Sequence, residues 1–68
     1  MVSRLKECRE DHKITQEQLA QLVGVSRQSI ISIEKGHYVP TSVLALKISL
    51  VLKLKVEDVF ILENTDWK

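Results

Sequence analysis

A guanidinium, an amide and a hydroxyl fall on one face of a short segment: Arg27 at its start, then Gln28 and Ser32, with Ile31 and Lys35 alongside. At about 100° of rotation per residue these lie opposite Ile30 and Ile33, which share the apolar face. Their chemistry matches the edges of base pairs in the DNA major groove. Arg pairs bidentately with guanine, Gln with adenine, and a hydroxyl with either. Ile31 suits two surroundings equally, a thymine methyl or the side chains of the preceding helix. An ordinary solvated helix face is the plainer reading, and the agreement of caps, turn spacing and choice of polar residues argues against it.

The elements that position this face are marked by residues with particular backbone chemistry. Thr15 followed three residues later by Gln18 forms a capping box at the start of one helix. Gly24 falls where a helix C-terminus needs positive φ, and Ser26 restarts the chain as a new N-cap. The intervening turn is tight, as a helix-turn-helix requires. Gly36 ends the second helix after Lys35, whose charge suits the negative end of the helix dipole. Leu19, Leu22 and Val23 are expected on the inner face of the first helix, and Ala20 lets the two helices approach closely.

Thr15 to Ala20, Gly24 to Gln28 and Ile30 to Gly36 resemble the lambda-repressor and Cro type of helix-turn-helix domain, called XRE-type. Pro40 through Phe60 continues the likeness with a Pro-Thr-Ser start, a Leu-rich helix and a Val-Glu-Asp-Val-Phe end. The resemblance covers about residues 3 to 63, and is strongest with short stand-alone transcriptional regulators. It implies an all-α fold, a compact five-helix lambda-repressor-like domain over 1–63 with a tail over 64–68. Helices are expected near 2–11, 15–23, 26–35, 41–53 and 56–61, the third being the recognition helix.

Carried over residue by residue, the resemblance implies base contacts from Arg27, Gln28 and Ser32, with Ile31 on the same face where relatives carry a small or polar residue. It implies phosphate contacts from Gln16, at the start of helix two, and from Lys35, His37, Tyr38 and Thr41 around the end of helix three and the following loop. A plain turn is the alternative for His37 and Tyr38. Arg9 and Glu34 match a pair that links helix one to helix three; exposed, such a pair is worth ~0–1 kcal/mol, so its expected role is to orient. Lys53 stands where relatives often have Gly.

Sixty-eight residues make one domain, and a chain of that size buries only ~60% of its unfolded surface. The lone Cys8 excludes an intramolecular disulfide and suits a reducing cytoplasm. The N-terminus lacks the apolar core of a signal peptide. Residues 1–55 carry nine Lys and Arg against five acids, net +4, whereas 56–68 carry one Lys against four acids, net −3. The positive charge therefore belongs to the helix-turn-helix part, and the acidic end is expected to point away from phosphate.

Helix four is apolar almost all round. Leu44, Ile48, Val51 and Leu52 serve the core, leaving Val43, Leu46 and Leu50 as a second stripe. With Phe60, Ile61, Leu62 and Trp67 this is much apolar surface for a small monomer. Coverage by helices one and five is one explanation. The other is a symmetric dimer through Leu46, Leu50, Phe60, Ile61, Leu62 and Trp67, setting two recognition helices one DNA turn apart.

Other chemistries fare worse. Cys8 and His12 are four residues apart, but a structural zinc site needs about four ligands and a nucleophile needs an oxyanion hole. A core thiol beside a surface histidine is the simpler reading, and neither metal, cofactor nor enzymatic activity is expected. The remaining rival is a protein-interaction module, such as an antitoxin, an anti-repressor or an adaptor. Arg27, Gln28 and Ser32 on a free face favour a DNA-binding regulator, expected to be a dimeric repressor that reads an inverted repeat in double-stranded DNA.

Overall fold

The computed structural model describes residues 1–67. Its elements run β1 (Val2–Ser3), α1 (Leu5–Asp11), α2 (Gln16–Val23), α3 (Arg27–Glu34), α4 (Ser42–Leu52), α5 (Val56–Val59) and β2 (Phe60–Ile61), followed by a 3-10 turn over Asn64–Trp67. Five helices thus build the fold, as the sequence implies.

The caps act as their residue types require. Thr15 Oγ1 accepts from the Gln18 amide at 3.0 Å while Gln18 Oε1 accepts from the Thr15 amide at 2.9 Å, closing the box at the start of α2. Gly24 ends α2 at φ 77°, a conformation that costs a residue with a Cβ about 1–2 kcal/mol. Ser26 Oγ then accepts from the Ser29 amide at 3.2 Å and begins α3. Thr41 Oγ1 accepts from the Leu44 amide at 3.2 Å and begins α4. Lys53 ends α4 at φ 57°, a left-handed conformation that glycine adopts more readily.

The core draws on every helix. Leu5, Leu19, Ile30, Ile33, Ile48, Leu52 and Val59 are fully buried, and Cys8, Ala20, Val23, Leu44, Ala45 and Phe60 complete the cluster. The buried Ser49 hydroxyl donates to the Ala45 carbonyl at 2.8 Å. Among the described residues no buried side-chain nitrogen or oxygen lacks a hydrogen-bond partner, the condition that keeps burial of polar groups from costing stability.

Several expectations need correction. Helix one starts at Leu5, not residue 2, and helix five stops at Val59, not residue 61. Val2–Ser3 and Phe60–Ile61 instead pair as an antiparallel ribbon, Val2 opposite Ile61 and Ser3 opposite Phe60. The Arg4 amide donates to the Val59 carbonyl at 2.8 Å and locks the junction. A β-branched residue on each strand suits that extended backbone.

Phe60, expected on an outer apolar face, is only 7% exposed and belongs to the core. Leu22 is exposed rather than buried, because it lies about 100° around α2 from Val23, beyond the face that Leu19, Ala20 and Val23 define. Val51 is half-buried at the edge of the core. Residues 63–66 are tied to the start of the chain. The Met1 amine bonds Glu63 Oε1 at 2.9 Å and Asp66 Oδ2 at 2.8 Å, and the Glu63 amide donates to Asp66.

Candidate nucleic-acid interface

The outward side of α3 is a ridge between two open clefts. One is lined by Ser26, Gln28, Ser29, Ser32, His37 and Tyr38. It brings two of the expected base readers together with the two loop residues expected at phosphate. The other is lined by Lys6, Gln16, Ile31, Glu34 and Lys35. Ile31 is half-buried and lines it together with Gln16.

Arg27 stands exposed at the N-terminal end of this ridge and reaches α2. Its Nε and Nη2 donate to Gln16 Oε1 at 3.4 and 3.5 Å. Gln16 Nε2 in turn donates to Glu34 Oε1 at 3.0 Å. A continuous chain of side chains therefore links the first residue of α3 to its last through the first residue of α2.

The chain is anchored in the interior by Arg9. Arg9 Nε donates to Glu34 Oε2 at 2.6 Å, Nη2 reaches Glu34 Oε1 at 3.4 Å, and Nη1 donates to the Ile14 carbonyl at 2.8 Å. The side chains are only 10% and 5% exposed. The small value of an exposed pair therefore does not apply, and a desolvated, bidentate bridge is a rigid fixture. The bond to Glu34 holds the Arg9 guanidinium still more firmly protonated, against the opposing effect of burial.

Thr41 is the one expected phosphate contact outside both clefts, and its hydroxyl oxygen already accepts the bond that caps α4. Lys35 lines the second cleft as the C-cap of α3. Sequence reading missed Ser29 in the first cleft and Lys6 in the second. Ser29 is legible only as a capping partner of Ser26, and a lone Lys in a charged helix carries no signal at all. Glu34 was legible as the partner of Arg9 but not as the group that orients Gln16.

The expected outer apolar residues divide. Leu46, Leu50, Ile61, Leu62 and Trp67 are exposed, Leu50 by 78%. Cys8 is buried, which pushes its thiol pKa up, while His12 lies outside with Nδ1 at 2.9 Å from the Cys8 carbonyl. Among the described residues no group of three or more His, Cys, Asp or Glu is placed to hold a metal ion. No described helix is long and apolar enough to cross a membrane.

Residues 5–59 match the family profile described as helix-turn-helix. The chain belongs to that family. As an XRE-type helix-turn-helix protein it is 50% identical over 66 residues to an uncharacterised HTH-type transcriptional regulator of Methanocaldococcus jannaschii, spanning 97% of this chain and 100% of that one. Among solved structures it resembles the restriction-modification controller protein C.AhdI of Aeromonas hydrophila, with a TM-score of 0.77 and 32% identity over 84% of this chain and 86% of that one. A chain of the SinR–SinI protein complex superposes with a TM-score of 0.77 and 26% identity, over 94% of this helix-turn-helix protein and 67% of its own length.

Proposed function

We propose that this helix-turn-helix regulator is a cytoplasmic homodimer that represses transcription by occupying an inverted repeat in double-stranded DNA. In this reading α3 enters the major groove. Arg27, Gln28 and Ser32 meet base edges, with Ile31 at the margin. Gln16, Lys35, His37, Tyr38 and Thr41 face phosphates on either side. Phosphate contacts fix the register and base contacts carry the sequence information. The two copies meet through Leu46, Leu50, Ile61, Leu62 and Trp67, setting the α3 helices ~34 Å apart, one turn of DNA.

The observation that carries the proposal is the exposed polar ridge of α3, with Gln28, Ser32, His37 and Tyr38 in one cleft and Arg27 braced by Gln16 at its end. The apolar face of the same helix, with Ile30 and Ile33 buried, is on the other side. The chemistry the ridge offers is recognition rather than catalysis. C.AhdI, by its name a controller protein of a restriction-modification system, is a fitting relative.

Selection from a randomised duplex library at near-physiological salt tests it. Enrichment of an inverted repeat with one half-site spacing is the expected result. A folded protein that enriches no sequence favours the second reading, a protein-interaction module such as an antitoxin or anti-repressor. The exposed Val43, Leu46 and Leu50 on α4 give that reading its support, and the likeness to a chain of a two-protein complex agrees with it.

A further inference from the structure

The cleft beside α3 contains a cation that nothing in the reading above uses. Lys6 sits in the first turn of α1, exposed, and lines the same recess as Gln16, Ile31, Glu34 and Lys35. Three helices thus line one recess, α1 joined to α3 by the buried Arg9–Glu34 bridge and α2 tied to α3 by the Gln16–Glu34 bond.

The charges in this recess do not cancel. Among the described residues Glu34 is the only acid lining it, and both its oxygens are engaged, by Arg9 and by Gln16. Arg9 neutralises it. Among the described residues neither Lys6 nor Lys35 forms a salt bridge, although Glu10 lies one turn from Lys6 on α1. Glu7, next to Lys6 in sequence, pairs with Arg4 at 3.2 Å. Two lysines with no salt bridge among the described residues therefore line the recess together with Gln16. A Gln amide has two N–H donors and one oxygen acceptor. One donor goes to Glu34 and the oxygen accepts from Arg27, which leaves one N–H of Gln16 to offer in the recess that the two lysines also line.

An N–H donor and two point charges in one recess make a receptor for one tetrahedral anion. We propose that Lys6, Gln16 and Lys35 together grip a single DNA backbone phosphate next to α3, which makes α1 part of the DNA interface. The inference rests on the proposed DNA-binding function. It favours a phosphodiester over a free phosphate because the Arg27 side chain joins Gln16 to the base-reading end. A strand passing Gln16 is held at the backbone where the neighbouring Arg27 meets a base.

The test compares the native chain with Lys6→Gln and Lys6→Arg by fluorescence anisotropy on the selected duplex and a scrambled duplex from 50 to 300 mM NaCl. Each phosphate contact contributes about 0.9 to the slope of log affinity against log salt. Lys6→Gln is expected to lower that slope by about 1 and to weaken both duplexes by the same factor, with Lys6→Arg keeping the native slope. An unchanged slope and affinity in Lys6→Gln, with native binding intact, overturns the inference alone. Absence of any duplex binding by the native chain overturns the proposed function with it. If inorganic phosphate at constant ionic strength competes with DNA for the native protein and not for Lys6→Gln, the recess takes free anion and the backbone assignment is wrong.

Discussion

Gln16 donates to Glu34 at 3.0 Å across the contact between α2 and α3, so a residue at the surface takes its orientation from one whose side chain is 5% exposed. Surface glutamines ordinarily sample several rotamers, and fixing one beforehand removes that entropy from the cost of binding. Interior electrostatics and surface recognition are therefore coupled through one amide.

Glu34→Ala leaves the Arg9 guanidinium buried without its partner. Removal of one member of a buried pair costs about 3–5 kcal/mol, whereas an apolar replacement of both is often neutral. Urea denaturation is expected to give a loss in that range for Glu34→Ala and a much smaller one for Arg9→Met combined with Glu34→Leu. Equal losses for the two proteins would show that the bridge is not the source.

On the selected duplex, Arg27→Ala and Gln28→Ala are each expected to lower affinity by about 1–3 kcal/mol and to relax the preference at one base pair. Gln16→Ala should weaken every duplex alike. Titrations against the selected site and its single-base variants separate the two patterns, and uniform losses from Arg27→Ala would remove it from base readout.

Leu50 is 78% exposed and stands on the same helix as the exposed Leu46. Leu50→Glu is expected to turn a dimer into a monomer in sedimentation equilibrium without lowering the melting temperature of the monomer fold. A native chain that sediments as a monomer at tens of micromolar excludes that face as the interface.

The contact between Met1 and Asp66 predicts opposite effects at the two ends of the pH scale. Bonds to Asp66 and Glu63 raise the amine above its ordinary 8.0; the contribution is full below 8.0 and disappears as pH rises through the higher folded value. The bond to the amine lowers Asp66 below 3.8; that contribution is full above 3.8 and disappears as pH falls through the lower folded value. Amide exchange at residues 60–67 should be slowest between these limits. One extra residue before Met1 should abolish the upper transition while leaving the helices unchanged.

The helix-turn-helix was legible because its signals are local. Thr15, Gly24, Ser26 and Gly36 act on backbone within four residues of themselves, and each does so in the structure. The ends of the chain were not, since the pairing of Val2 with Ile61 is decided by tertiary proximity and two-residue strands have no periodicity to read. Leu22 shows the same limit in miniature, being placed correctly on a helix and one position off its buried face. The reader residues on α3 were legible as types, but Lys6 becomes part of a site only when α1 folds against α2 and α3.

The ribbon has a consequence for the order of assembly. Its strands lie at opposite ends of the chain, about 60 residues apart, and closing so long a loop for a two-residue ladder is entropically unfavourable unless the helices between have already drawn the ends together. The helical body must therefore form first, and the ribbon closes over it as a latch. Loss of that latch loosens both ends at once, since the first and last strands of the chain share one ladder.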